Sequence, residues 1–560
     1  MKDKNFMKRA GRGRQARAMG GTMLALGMLA LAGCGGDGTS TTPPPPDQPY
    51  ADNVAYSPNA GDSLPASQVS ENAAVMHHTW SSGGTTVNYT TTTGHLTASD
   101  PSGNAEATMS YVAYTAPSAD GSPRPVTFIY NGGPGSSSIW LRLGSFAPTR
   151  VATPDPLMTG WPNFPLVDNQ ESLIATTDLV YVDPPGTGLS EAIQPNTNKT
   201  FWGSDPDVQV MRDFVRRYLS VNSRASSPIY LYGESYGTPR TDMLALSLES
   251  AGVNLTGIVL QSSILNYMAS NGDQAAGSLP SYAQVAAYFN QVSPSPTNLG
   301  AYAQQMQSFT TAQYAQIVQY STASAPTSPD ANTLAAWSAQ TNMTTASLSA
   351  FFQYFYDTEA SPGQTTLVPG YTIGRYDGRV SLPNSDPRLA SDNDPSDILI
   401  TQPFTTALAS QMPAYLGYTA PNATYQTLNN SIIGVWNFSH GGQASPDTIP
   451  DLLAALQLNP KLRVLSLNGY HDLATPYFET EKELARLQTV PGLNPSLQMT
   501  FYQGGHMIYL DDVARPAMRD DLVSYYQSKP IATALSLAQL PSPWPDEKPA
   551  GTPTALAAAR

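Results

Sequence analysis

Residues 230–240 read YLYGESYGTPR: a short apolar run that enters a serine bracketed by two glycines. Gly233-Glu234-Ser235-Tyr236-Gly237 fits the G-x-S-x-G pattern, and "RTDMLALSLES" continues from it with helical spacing. A strand that turns sharply into a helix, with small residues at the turn, exposes a serine oxygen above the end of a sheet. A serine hydroxyl is a weak nucleophile until a base takes its proton. Ser235 therefore needs partners elsewhere in the chain, and the carboxyl of Glu234 beside it needs an explanation.

The surroundings of the elbow repeat its grammar. "VTFIY" runs into "NGGPGSSS", "LVYV" into "DPPGTGLS", and later "VLSLNGYHD" and "MTFYQGGH" end the same way. Between several of them lie amphipathic stretches such as "DPDVQVMRDFVRRYLS". Buried strands alternating with helices, with polar loops after the strands, predict an α/β fold with a mostly parallel central sheet. "VNYTTTTGHLTA" and "AEATMSYVAYTA", ahead of these, alternate as antiparallel strands do. His95 falls in what reads as a polar turn there.

Residues 268–425 differ in character. "SYAQVAAYFNQV" and "AYAQQMQSFTTAQYAQIVQY" place aromatic and aliphatic residues at helical spacing among Ala and Gln. This predicts a helical cap inserted over the loop side of the sheet. The expected organisation is a signal peptide (1–33), a Gly/Ser/Pro-rich tether (34–60), a first core segment (61–267), the cap (268–425), a second core segment (426–530) and a C-terminal tail (531–560).

The N-terminus sets the expected compartment. Residues 1–20 carry seven Lys/Arg and one acid, followed by the apolar run "GTMLALGMLALAG" and then Cys34. That is a secretory signal pattern. Leu31-Ala32-Gly33-Cys34 resembles the lipobox of bacterial lipoproteins, which predicts a lipid anchor on Cys34 at the bacterial cell envelope, periplasmic or at the surface. Cys34 is the only cysteine among 560 residues, so internal disulfides are excluded. Without residues 1–33 the chain keeps 21 Lys/Arg against 41 Asp/Glu, a formal charge of −20. That argues against nucleic acid as a partner and is compatible with work at acidic pH.

A base for Ser235 is expected later in the chain, with its orienting acid between them. His506 in "FYQGGHMIYLD" and Asp472 in "NGYHDLATPY" both follow strands, in the order Ser…Asp…His known for α/β-hydrolases. His471, next to Asp472, is the rival base. For the oxyanion, backbone N–H groups are needed at the glycine-rich loop after the early strand and at Tyr236. Histidines with metal-ligand spacing such as H-E-x-x-H are not found, and no metal or cofactor is implied.

Together "NGGPGSSS", "GESYG", "NGYHDLATPY" and "GGHMIYLD" resemble the serine carboxypeptidase family in its bacterial branch, across about residues 75–525. The resemblance implies an α/β-hydrolase fold with a helical cap. It implies Ser235 as nucleophile, His506 as general base and acid, Asp472 as its orienting acid, and Gly133 and Tyr236 as oxyanion donors. It also implies that Asn131, the N–H of Gly132 and Glu234 hold a peptide's C-terminal carboxylate. A carboxyl donates a hydrogen bond to a carboxylate only while protonated, which favours acidic pH. The alternative for Glu234 is a bond to a neighbouring loop.

Two departures matter. Where eukaryotic members carry a second glutamate in an "ELGP"-like segment, this chain reads "SFAP", with Ser145 in the glutamate's place. Ser136 stands where many members have a cysteine. The expected function is release of C-terminal amino acids from peptides through an acyl-enzyme. An esterase or acyl-hydrolase with the same machinery is the alternative, and a surface binding protein without turnover is the third reading.

Overall fold

The computed structural model describes residues 46–551, apart from 155, 157–163, 323–327, 355–360, 546 and 548. The signal segment, Cys34 and residues 34–45 of the tether lie outside the described residues.

Ten strands form the main path of one sheet. In chain order they are β1 (Ala73–Ser82), β2 (Thr85–Ser99), β3 (Ala105–Thr115), β4 (Val126–Tyr130), β5 (Asp178–Val182), β6 (Ile229–Ser235), β7 (Gly257–Ser263), β8 (Arg463–Gly469), β9 (Ser496–Tyr502) and β10 (Leu535–Ser536). Across the sheet the order is β10-β9-β8-β7-β6-β4-β5-β3-β2-β1. From β9 to β5 every pairing is parallel, while β10 and the β1–β3 meander are antiparallel. This is the α/β-hydrolase fold with a mostly parallel central sheet.

The parallel strands are apolar throughout because both faces are covered. Every residue of β4, β5 and β7 is buried. Phe128, Leu231 and Ile258 pack one face against α2 (Ser204–Val221) and α3 (Gly237–Ser250). Ile129, Tyr232 and Val259 pack the other, where Met518 and Leu522 belong to the C-terminal helix Ala514–Tyr526. Burial of this kind stabilises by roughly 1.5–3 kcal/mol per large side chain.

Between β7 and β8 lie α4 (Asn271–Tyr288), α5 (Leu299–Thr322), α6 (Ala331–Thr341), α7 (Thr345–Tyr354) and α8 (Pro395–Ala414). Leu279, Tyr282, Met306, Trp337 and Phe351 give the first four a core of their own, which Tyr477 and Phe478 of the hydrolase part join. The aromatic stripes of this segment are packing surfaces.

Three expectations change. Residues 46–60, taken with the tether, are folded: Tyr50–Ala51 pairs in parallel with Tyr418–Thr419, and buried Asp52 accepts from Tyr56 and Tyr418. Tyr50, Val54 and Tyr56 supply apolar area that the Gly/Thr/Pro run before them lacks. The segment 531–560 is not a loose tail as far as it is described, since Leu535–Ser536 joins the sheet. Trp544 is buried there, stacked on Tyr314 with Lys482 Nζ 4.1 Å from its ring centroid. His95 stands inside β2, not in a turn. The glycine before it is there because a Cβ would lie 2.8 Å from Ala73 Cβ on the neighbouring strand.

Candidate active site

Strand β6 ends at the elbow. Ser235 has φ +60°, in the left-handed region that non-glycine residues rarely occupy. The ladder with β7 slips between Glu234 and Ser235. Of residues 229–246, Ser235 alone is not buried. Gly233 makes the turn possible: a Cβ there would lie 2.0 Å from the carbonyl oxygen of Gly237 and 2.4 Å from Thr241 Oγ1.

The glycine-rich loop after β4 lies directly against this turn. A Cβ on Gly132 would be 2.4 Å from the backbone nitrogen of Tyr236, so only a bare backbone fits. Asn131 is fixed at the loop's start. Its Oδ1 accepts from Leu141 N at 3.0 Å, its carbonyl accepts from Arg240 Nη1 at 2.7 Å, and its Nδ2 donates to Glu234 Oε1 at 2.7 Å. Arg240, fully buried in α3, is held by Asp207 of α2, with Nε 2.6 Å from Oδ2. That buried ion pair props the loop from below.

Asp472 and His506 come from the loops after β8 and β9. Asp472 Oδ1 accepts from Ala474 N and Thr475 N, at 2.8 and 2.9 Å. Its Oδ2 accepts from Thr475 Oγ1 at 2.7 Å and lies 2.9 Å from His506 Nδ1. This turns Nδ1 of the ring toward the acid, with Nε2 on the opposite edge. His506 is further held through its backbone: its N–H donates to Tyr376 O, and its carbonyl accepts from Ser262 Oγ at 2.7 Å and Gln261 Nε2 at 3.2 Å. Burial opposes the charged imidazole, but the charge and hydrogen bond of Asp472 outweigh it and raise the His506 pKa.

Glu234 is buried, 3% exposed, and both its oxygens accept from amides: Oε1 from Asn131 and Oε2 from Gln261 Nε2 at 2.7 Å. Gln261 Oε1 in turn accepts from Tyr232 OH at 2.6 Å. Burial pushes the Glu234 carboxyl up to about 7, against the opposing pull of the His506 charge. Glu234 is thus bonded both to the neighbouring loop, through Asn131, and to strand β7, through Gln261.

One cavity gathers these groups. Asn131, Gly132, Gly133, Glu234, Ser235 and His506 line it, together with Ser136, Trp140, Leu428 and Met507 and with Tyr376, Asp397 and Ile400 of the cap. Asp472 stands behind His506, and Tyr236 is buried below the turn, with its hydroxyl near Ser204 Oγ and Trp436 Nε1. Trp140 lines the cavity and donates to Ser136 Oγ at 2.8 Å. Trp202 and Tyr267 pack with Tyr236 instead.

Rival groups are placed elsewhere. His471 is buried away from the cavity, and burial pushes its pKa down to about 4. His440 bridges Asp205 and Asp451, at 2.6 and 3.0 Å. Ser145 donates to Leu141 O at 2.5 Å at the end of helix α1 (Ile139–Gly144) and does not reach the cavity. Among the described residues no group of three His, Cys, Asp or Glu side chains is placed to hold a metal ion.

Sequence reasoning missed Gln261, Thr475, Arg240 and Asp397. Arg240 did carry a signal, as the one basic residue of the elbow helix Gly237–Ser250, while Gln261 stands at the polar end of its strand beside Ser262 and Ser263. Thr475 and Asp397 carried none.

No curated protein sequence matches the chain significantly. Among solved structures it is similar to a prohormone-processing carboxypeptidase of Saccharomyces cerevisiae, at 16% identity and TM-score 0.49 over 79% of this chain and 91% of that one. It is also similar to a proline iminopeptidase of Mycobacterium smegmatis (13%, TM-score 0.30, 81% and 98%) and to a thermostable carboxyl esterase of Bacillus coagulans (12%, TM-score 0.33, 78% and 98%). The family model of serine carboxypeptidases matches residues 82–500, a span that takes in the glycine-rich loop, the elbow and the Asp472 loop, and the chain belongs to that family.

Proposed function

We propose that this protein releases C-terminal amino acids from peptides through an acyl-enzyme formed on Ser235. The reading is supported above all by the cavity in which Ser235, His506 and the Asn131–Glu234 pair meet. His506 Nε2 takes the Ser235 proton as the oxygen attacks the scissile carbonyl, while Asp472 favours the resulting imidazolium. The N–H groups of Gly133 and Tyr236 receive the developing oxyanion. His506 then gives the proton to the departing amine, and water, activated by the same imidazole, releases the acyl group. Asn131, Gly132 and protonated Glu234 hold the C-terminal carboxylate, so binding is favoured on the acidic side of about pH 7.

Ester hydrolysis is the second reading. It is favoured by Ser145, whose hydroxyl is engaged with Leu141 and supplies no second acid. Hydrolysis of a blocked dipeptide acid, its amide and its ester across pH 4–8 separates the two, with Ser235→Ala as control. Preference for the free acid that fades with rising pH supports the carboxypeptidase. Equal cleavage of acid and amide, or of ester alone, sinks it.

The Cys34 lipid anchor at the cell envelope belongs to the same proposal and rests on residues 21–34 of the sequence. Cys34→Ser should move the protein from the membrane to the soluble fraction and abolish fatty-acid labelling. Labelling that survives the substitution would refute the anchor.

A further inference from the structure

The cavity at Ser235 has a wall that the hydrolase core does not supply. Asp397 and Ile400, three residues apart, lie on one face of α8, and Phe404 continues it, its ring 5.3 Å from that of Trp140. Trp140, Ile400 and Met507 make this side apolar, with one carboxyl among them. Asp397 accepts from Thr401 Oγ1 at 3.1 Å and is hydrogen-bonded to the carboxyl of Asp392, with Asp394 as a further acid nearby. Among the described residues no Lys or Arg is bonded to it. The nearby guanidinium of Arg375 lies over the Tyr376 ring, 5.4 Å from its centroid, and does not line the cavity. The cavity's other acid, Glu234, is engaged at both oxygens.

If Asn131, Gly132 and Glu234 hold the C-terminal carboxylate, the side chain of the same residue lies in this cavity, against Trp140, Ile400 and Met507. We propose that Asp397 sets the preference there and that the residue released is Lys or Arg. This rests on the carboxypeptidase reading and deepens it. Long methylene stems suit the apolar wall, while the ammonium or guanidinium at their end meets the carboxyl. The Trp140 face adds a cation–π contact. Burial and the crowding by Asp392 and Asp394 push the Asp397 carboxyl up to about 7, and a bound cation is the partner that relieves the crowding.

Norleucine matches lysine without the ammonium, so the pair isolates the charge. At pH 7 the wild-type kcat/KM for a blocked dipeptide ending in Lys is expected to exceed that for norleucine about tenfold. In Asp397→Asn the ratio falls to about one. A wild-type ratio of one or below, or a ratio unmoved by Asp397→Asn, overturns the assignment. Calorimetry of free L-lysine and L-norleucine on Ser235→Ala makes the test independent of turnover. Tighter lysine binding to Ser235→Ala, together with a wild-type protein that cleaves no free-acid peptide, would sink the carboxypeptidase reading and keep the pocket; equal binding would overturn the pocket whatever the wild type cleaves.

Discussion

Gln261 Nε2 lies 2.7 Å from Glu234 Oε2 and 3.2 Å from the carbonyl oxygen of His506. One amide on the strand next to the elbow thus ties the acid beside Ser235 to the loop that carries the base. The two ionisable groups also feel each other: the Glu234 anion raises the His506 pKa, and the His506 cation lowers that of Glu234. In the proposed mechanism, neutral Glu234 with neutral His506 is the state fit for catalysis. The ion pair, with one carboxylate and one imidazolium, holds the same number of protons and is inactive.

Glu234→Gln should therefore act on both pH limbs. With the anion gone, His506 loses part of what favours its protonated form, and the acid limb of kcat moves to lower pH. The neutral amide can donate to a substrate carboxylate at any pH. KM for free-acid peptides, expected to rise in wild type above about pH 7, should become flat. Profiles of kcat and KM between pH 4 and 9 check this; a variant with an unmoved limb and an unchanged KM profile would refute the coupling.

Gln261→Leu removes a donor to the charged form of Glu234. The carboxyl should rise beyond about 7, so the rise in KM is displaced to more alkaline pH, where Glu234→Gln removes it altogether. The Tyr232 hydroxyl loses its acceptor as well, and stability should fall by about 1–3 kcal/mol in urea unfolding. A stable variant with the wild-type KM profile would show that Gln261 is only packing.

Asp472 offers a graded test. Asp472→Asn should lower kcat by about 10⁴, since the imidazole loses both its tautomer and its counter-charge. Thr475→Val removes one hydroxyl donor and leaves the two backbone donors in place, so a loss of about tenfold is expected. Similar losses in the two variants would mean that Asp472 serves mainly to anchor its loop.

Strand-loop alternation was legible in the sequence because parallel strands bury both faces and leave chemistry at their ends. Asn131, Glu234, Ser235 and His506, read from three separate motifs, line one cavity for that reason. Gln261 was passed over at the polar end of its strand, since nothing local says that its amide faces the Glu234 carboxyl of the next strand. Asp397 was invisible for a related reason. The cap's helices follow packing among themselves, and only tertiary contact of α8 with α1 puts one of its acids at the site. The boundaries at residues 46–60 and 531–551 went astray because proline-rich composition hides single anchoring aromatics such as Tyr56 and Trp544.

Gly233→Ala should cost at least about 3 kcal/mol, because the added carbon meets backbone oxygen at 2.0 Å and helix α3 must move off the strand. Gly61→Ala is the control: its Cβ meets nothing within 4 Å, and a change within about 0.5 kcal/mol is expected. Chemical denaturation reads both. A Gly233→Ala protein as stable as the control variant would show that the elbow has slack, and would remove the reason given for glycine there.

Stability should peak on the acidic side of neutrality. Burial pushes Glu479 and Glu481 up to about 8, above their unfolded value, so their contribution is full below about pH 4.5 and is lost as pH rises through about 8. His440 works in the same direction: despite burial, Asp205 and Asp451 raise it to about 10, and its contribution is lost on the way there. His95 and His471 oppose them at the other end. Burial lowers both to about 4, so the unfolded chain takes up protons first and stability falls as pH drops from about 6.5 toward 4. Lys482, pushed down to about 8 by burial, offsets the alkaline loss only above that value. Tm measured from pH 4 to 9 should therefore show a broad maximum between about 4.5 and 6.5 and a decline toward both ends. Glu481→Gln should reduce the alkaline decline, because the amide keeps the shape without the buried charge. A Tm that climbs from pH 6 to 9 would mean that these carboxyls stay ionised in the folded protein at no cost, and the burial argument for Glu234 would fall with it.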